Sequence, residues 1–128
     1  MKRKILVFFG VVYCLLAVPL AVLADSQTYT PPAEKGKIYV LINFAGASGI
    51  VPKDLKVSVK WGGWQKSGAF NSGGGRTPKD GVIIRLNHTK NDSVPLTVST
   101  SAEGSIANIY QGGEPSQRSS GNWHYVEW

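Results

Sequence analysis

Two histidines are the residues of this chain best suited to acid–base or metal chemistry. Asp92 and Ser93 follow His88 closely and could supply the carboxylate and hydroxyl of a hydrolytic triad, while His124 stands apart from them in sequence. No nucleophile elbow or other catalytic frame surrounds these residues, and no further ligand lies at metal-binding spacing. We therefore predict no catalytic residue, no metal site and no cofactor, and we expect that the protein is not an enzyme.

Aromatic side chains are the stronger candidates for function. Tryptophan and tyrosine combine a flat apolar body with a polar edge, which suits sugar stacking and lipid interfaces. Trp61 continues the apolar face of its strand, so we expect it in the core, whereas Trp64 lies beyond two glycines and is evenly balanced between core and surface. Lysines surround this turn, and an anionic membrane surface would attract them. Alternatively, they form a solvated strand face that keeps the sheet soluble. The predicted contact residues are Trp64, Lys60, Lys66, Trp123, Tyr125 and Trp128.

The first 24 residues have the pattern of a secretory signal peptide. Met1–Lys4 is basic, Ile5–Ala24 is an almost unbroken apolar run, and the sequence then turns polar at Asp25. A positive start, an apolar middle and small residues before the cut are the three parts of such a signal. We predict a signal helix that is cleaved after Ala24, and a secreted product; an uncleaved membrane anchor is the alternative.

Cleavage would change the composition of the product. Lys2, Arg3 and Lys4 supply half of the formal net charge of +6, and Cys14 is the single cysteine of the chain. The mature protein would be mildly cationic and free of disulfides, so its core alone must stabilise it. The basicity of the precursor is therefore a poor argument for nucleic-acid binding, and we predict none.

The rest of the sequence predicts an all-β domain. Residues 25–36 contain Pro31-Pro32 and small polar residues, which predicts a flexible leader, and residues 37–128 form the domain. Leu55–Trp61 is the clearest strand, with apolar and polar residues in strict alternation. Gly62–Gly81 predicts a long irregular stretch that holds at most a short strand at Ala69-Phe70. Six or seven short strands without long helices predict a small antiparallel β-sandwich.

Asn87-His88-Thr89 and Asn91-Asp92-Ser93 fit the acceptor pattern for N-glycosylation. Modification of Asn87 or Asn91 requires a host that glycosylates exported proteins.

Two segments resemble the aegerolysin family of secreted β-sandwich proteins. Lys56–Trp64 is similar to that family's strand ending in a Trp-Gly-Lys-aromatic segment, and Ala102–Tyr110 is similar to its strand after a Ser/Gly-rich loop. The order and separation of the two segments agree with the family, but its Cys-Pro-Trp-Gly segment has no counterpart here. The resemblance implies a β-sandwich that binds membrane lipid.

The sequence supports three hypotheses of function, all for a small secreted binding protein. The first is contact with a lipid membrane or cell surface through Trp64 and neighbouring lysines. The second is a carbohydrate- or cell-wall-binding module that stacks glycans on tryptophan. The third is an antimicrobial or cytolytic toxin that assembles on target cells. The sequence leaves the oligomeric state open.

Overall fold

Two four-stranded β-sheets make up the fold. The structure is a computed structural model that describes residues 24–73 and 79–128, so most of the predicted signal helix lies outside the described residues. The strands are β1 (Asp25–Tyr29), β2 (Gly36–Asn43), β3 (Asp54–Trp61), β4 (Trp64–Asn71), β5 (Gly81–His88), β6 (Leu96–Thr100), β7 (Ile106–Gln111) and β8 (Trp123–Glu127). Two short 3-10 turns, Gly46–Ser48 and Ser116–Ser120, complete the regular structure of this part of the chain.

The strands are ordered β1-β6-β3-β4 in the first sheet and β7-β2-β5-β8 in the second. All neighbouring pairs are antiparallel except β5 and β8, which run parallel. The prediction of an all-β fold is therefore confirmed. Seven strands, β2–β8, lie in the predicted domain, β1 is an additional strand before it, and one pairing departs from the antiparallel pattern. Across the described ranges, no helix has the length and apolar character needed to cross a membrane.

Alternation along each strand creates the core between the two sheets. In β3, Leu55, Val57 and Val59 are fully buried while Lys56 and Lys60 are exposed. Because successive side chains of a strand point to opposite faces, one face of each sheet turns inward. The inner residues of β2, β3, β5 and β6 meet in one cluster, which includes the ring of Phe44.

The second sheet is also covered on its outer face. Tyr39, Leu41 and Ile83 are buried on this side, which confirms the expectation that β2 is buried on both faces. Trp123 and Tyr125 of β8 pack against them. The 3-10 turn at residues 116–120 contributes the Arg118 guanidinium, which lies 3.6 Å from the centre of the Tyr125 ring.

The predicted flexible leader differs from the structure at its start. Residues 25–29 form β1, which pairs along its whole length with β6. Asp25 and Tyr29 also bind β7: the Asp25 carboxylate accepts a hydrogen bond from the Ile106 amide at 3.0 Å, and the Tyr29 hydroxyl accepts one from the Gln111 amide at 3.0 Å. These contacts join the two sheets along one side, so this segment belongs to the fold.

The predicted irregular stretch at residues 62–81 differs as well. Its first part is β4, which spans Trp64–Asn71 and pairs with every residue of β3. The short strand expected at Ala69-Phe70 is the end of this longer strand. Gly68 and the polar residues around it hid the alternation, because β4 is an edge strand with few buried side chains.

Tyr29→Phe is expected to lower the free energy of unfolding by about 1–2 kcal/mol, because the Gln111 amide would lose its acceptor in a partly buried position. Chemical denaturation measures this change. Tyr125→Phe is the matched control, since the Tyr125 hydroxyl donates to the Glu127 carboxylate at the surface and its loss should cost less. A Tyr29→Phe protein with the denaturation midpoint of the wild type would show that the hydrogen bond between Tyr29 and Gln111 does not stabilise the fold.

Candidate functional site

An open cleft of about 470 Å³ lies at the end of the sandwich where β3 turns into β4. Three segments surround it: the β3–β4 turn, the β5–β6 connection at residues 89–95, and the end of β8. Its volume falls within the range of sites that bind small molecules. The lining residues are Trp61, Gly62, Gly63, Trp64, Leu86, Asn87, His88, Thr89, Lys90, Asp92, Val94 and Trp128.

A tight hairpin positions Trp61 and Trp64 directly opposite each other. Gly62 takes a φ of 60°, a backbone conformation in which glycine is favoured, and this lets two residues close the turn. Trp61 packs against the core, as its sequence pattern predicts, and its indole N–H donates to the Val94 carbonyl at 2.9 Å. Trp61 therefore ties the β5–β6 connection to β3 and forms the back of the cleft.

Trp64 is the exposed aromatic side chain of the cleft, with 40% of its surface accessible. Val94, across the turn, is exposed to the same extent. Both side chains line the cleft, so its surface includes exposed apolar area from each side of the turn. The sequence left the placement of Trp64 open, and the structure puts it at the surface.

Trp128 forms another wall because Gly68 leaves space for its ring. A Cβ atom on Gly68 would lie 3.0 Å from Cζ2 of Trp128, so the indole sits directly against the β4 backbone. The Phe70 ring centre is 6.1 Å from that of Trp128, and the Lys66 ammonium lies 5.9 Å from the same indole. Lys66 therefore brings positive charge beside an aromatic face of the site, at cation–π distance.

A buried histidine forms the polar floor of the cleft. His88 is 3% exposed. Its Nδ1 lies 2.8 Å from Oε1 of Gln111, and its Nε2 lies 3.4 Å from Oδ1 of Asp92. The ring of His88 also contacts that of Trp61, with 5.5 Å between their centres. This network connects the floor of the cleft to the last residue of β7.

The predicted contact residues do not all meet in the cleft. Trp64 and Trp128 line it, and Lys66 contacts Trp128. Lys60 belongs to the polar alternation of β3 and faces outward from the first sheet. Trp123 and Tyr125 lie on the outer face of the second sheet, in its apolar cluster.

The apolar cluster on the outer face of the second sheet contains two tyrosines whose pKa is raised. Burial raises the pKa of Tyr110 above its ordinary value, and neighbouring Tyr39 adds to the effect. Burial also raises the pKa of Tyr125, although the positive charges of Arg85 and Arg118 oppose the shift. Both phenols therefore stay neutral at physiological pH, which suits packing.

The two histidines considered for acid–base chemistry lie in different surroundings. His124 lies on the inner face of β8, where its Nε2 is 2.7 Å from the Asn71 carbonyl oxygen and its ring contacts Phe44 and Phe70. His88 and Asp92 do approach each other, but Nδ1 of His88 is taken by Gln111. Within residues 24–73 and 79–128, no three His, Cys, Asp or Glu side chains form a metal-binding group.

Sequence reasoning missed several residues of the cleft. Asn87, Thr89 and Lys90 are also among its lining residues, and Gln111 orients its histidine. The available signal was the polar run between β5 and β6, which lies beside the Trp61–Trp64 turn because β6 pairs with β3 and Leu96 is opposite Trp61. Only the pairing in space shows that proximity.

Gly68→Val is expected to displace the Trp128 ring, because the new side chain would overlap it. Overpacking of this kind costs about 1–3 kcal/mol of stability. It should also change the tryptophan emission and lower the affinity for any ligand that contacts Trp128. Ser67→Val is the matched control, since its neighbour Ser58 shows that residue 67 faces the outer surface of the same strand. Equal emission spectra for the two variants would contradict the packing described here.

Three aromatic rings and several hydrogen-bonding side chains thus surround one open cleft. Such a site can stack a flat apolar ligand face and bind polar groups at its edge. A scan against known protein families, a search of curated proteins and a search of solved structures each found no match for this chain.

Proposed function

We propose that the protein is a secreted, non-enzymatic glycan-binding module and that the aromatic cleft is its site. The observation that carries the proposal is the exposed indole of Trp64 beside Trp128 in a cleft that also presents Asn87, Thr89 and Asp92. A sugar ring has apolar C–H faces and a rim of hydroxyl groups. Aromatic walls suit the faces, and amide, hydroxyl and carboxylate groups suit the rim.

Intrinsic tryptophan fluorescence tests this proposal directly, because three of the four tryptophans line the cleft. We expect soluble mannan, xylan, β-glucan or chitin oligosaccharides to change the emission in a saturable manner. A protein that is folded by circular dichroism and shows no change with any of these glycans would contradict the proposal.

Export is the second part of the proposal. Cleavage after Ala24 would leave β1 complete, because that strand begins at Asp25. Asn87, one of the two glycosylation acceptors, lines the cleft. An oligosaccharide on Asn87 would obstruct the site, so binding measurements should use protein from a bacterial host or an Asn87→Gln variant.

Contact with an anionic membrane is the second candidate function. It is favoured by the equal exposure of Trp64 and Val94 at one end of the molecule, with Lys90 on the same rim. Interfacial tryptophan and lysine together suit anionic headgroups, and the resemblance to the aegerolysins points the same way. Co-sedimentation with vesicles of phosphatidylcholine alone, or with phosphatidylserine or sphingomyelin, separates the candidates: protein that remains in the supernatant with all three excludes this one.

A further inference from the structure

We infer that the Asp92 carboxylate accepts hydrogen bonds from the bound saccharide, and that the cleft therefore selects a sugar unit with free vicinal hydroxyl groups. This inference rests on the proposed function and specifies the chemistry of its ligand. It follows from the hydrogen-bond network of His88.

Gln111 fixes the tautomer of His88. The Gln111 side-chain N–H donates to the Glu34 carbonyl at 3.0 Å, so its amide oxygen must be the atom that faces His88. An amide oxygen only accepts hydrogen bonds. Nδ1 of His88 therefore carries a proton and donates it to Gln111 across 2.8 Å.

The consequence appears on the other side of the ring. In a neutral imidazole that is protonated at Nδ1, Nε2 carries a lone pair and cannot donate. Its neighbour, Oδ1 of Asp92, is also an acceptor and lies 3.4 Å away. A doubly protonated ring would instead donate from Nε2 to Oδ1, and in both forms Oδ2 of Asp92 has no hydrogen-bond donor among the described residues.

Asp92 is placed to meet such a donor. Its side chain is 41% exposed and lines the cleft, and the part of the chain that the structure describes offers its carboxylate no hydrogen-bond partner besides His88. A carboxylate accepts hydrogen bonds through both oxygens, and hydrogen bonds to a charged acceptor are stronger than neutral ones. Two adjacent hydroxyl groups of one sugar ring supply two donors at matching separation.

His88 acts here as a positioning residue. Its ring is buried against Trp61 and held by Gln111, so it limits where the Asp92 carboxylate can lie. Lys90 is the other charged side chain among the lining residues. Its ammonium group only donates hydrogen bonds, so it cannot replace the Asp92 carboxylate as an acceptor. The acidic residue therefore determines the preference for hydroxyl donors.

Asp92→Asn tests the inference against oligosaccharides of mannose, glucose, xylose and N-acetylglucosamine, each used in its native and its per-O-methylated form. Methylation keeps the ring faces for stacking but removes every hydroxyl donor. We expect the wild type to bind one native oligosaccharide at least tenfold more tightly than its methylated form, and Asp92→Asn to lose most of that preference. Asp54→Asn is the matched control, because Asp54 is an exposed carboxylate at the opposite end of β3.

The outcomes separate the two proposals. Native binding that is equally tight in the wild type and in a folded Asp92→Asn protein would overturn the inference and leave the glycan-binding function standing. Equal binding of native and methylated forms by the wild type would overturn it too. Failure of the wild type to bind any native oligosaccharide would overturn both. The unfolding temperature of each variant shows that the fold is retained.

Discussion

Trp64→Ala is expected to weaken glycan binding about thirtyfold without unfolding the protein. An aromatic anchor in a binding site is worth about 2 kcal/mol when it is truncated, which corresponds to that factor in affinity. Trp64 lies at the open side of the cleft with 40% of its surface exposed, so its removal leaves the core intact. Isothermal titration calorimetry measures the glycan affinity independently of tryptophan emission.

Ile50→Ala is the matched control for this variant. Ile50 is 75% exposed, in the loop that precedes β3 at the opposite end of the sandwich. Both substitutions remove an exposed apolar side chain, but only one changes the cleft. Unchanged glycan affinity in Trp64→Ala, or an equal loss in both variants, would remove Trp64 from the site.

Local alternation explains the parts of the fold that the sequence predicts. β3 alternates strictly, and its inner side chains are buried while its lysines are exposed. β2 is apolar on both sides, and both sides are covered. In these strands the burial of each residue follows from its neighbours in sequence, so periodicity is sufficient.

Pairing over long distances explains what the sequence does not predict. β1 is polar and short, and it becomes a strand because β6, about seventy residues later, supplies its partner. β4 is an edge strand in which Gly68 stands where an apolar residue would mark the inner face. The reason for that glycine is Trp128, which reaches β4 from the end of the described chain.

The candidate site also contains residues that the sequence identifies and residues whose role only the structure shows. Trp64 and Trp128 were recognisable as candidates by residue type, because an indole combines a flat apolar body with a polar edge. Asp92 was recognisable as an acid beside His88, but its importance depends on Gln111, whose amide sets the tautomer from another strand. Trp123 and Tyr125 have the same residue types as the cleft aromatics, and strand alternation places them on the other face of β8.

Gly81→Ala is expected to destabilise the protein by about 3 kcal/mol or more, a large share of the stability of a small domain. Gly81 is buried at the start of β5, where it pairs with Asn43 of β2 on one side and with Trp123 of β8 on the other. A Cβ atom there would overlap the carbonyl oxygen of Ile42 and lie 2.6 Å from the Trp123 ring. Chemical denaturation and thermal unfolding measure the loss.

The clash at Gly81 cannot be relieved cheaply, because one of its partners is backbone. The Ile42 carbonyl lies next to a register shift between β2 and β7, and the adjoining chain is fixed by the hydrogen bond from the Phe44 amide to the Asp80 carbonyl at 3.0 Å. Moving Ile42 would therefore disturb three strands of the second sheet.

Gly113→Ala is the control, since a Cβ at Gly113 meets no atom within 4 Å. If both variants unfold at the same denaturant concentration, the close approach of β2, β5 and β8 at Gly81 is not as described. A selective loss in Gly81→Ala would show that the close approach of β2, β5 and β8, which also brings Trp128 to the cleft, requires a glycine at this position.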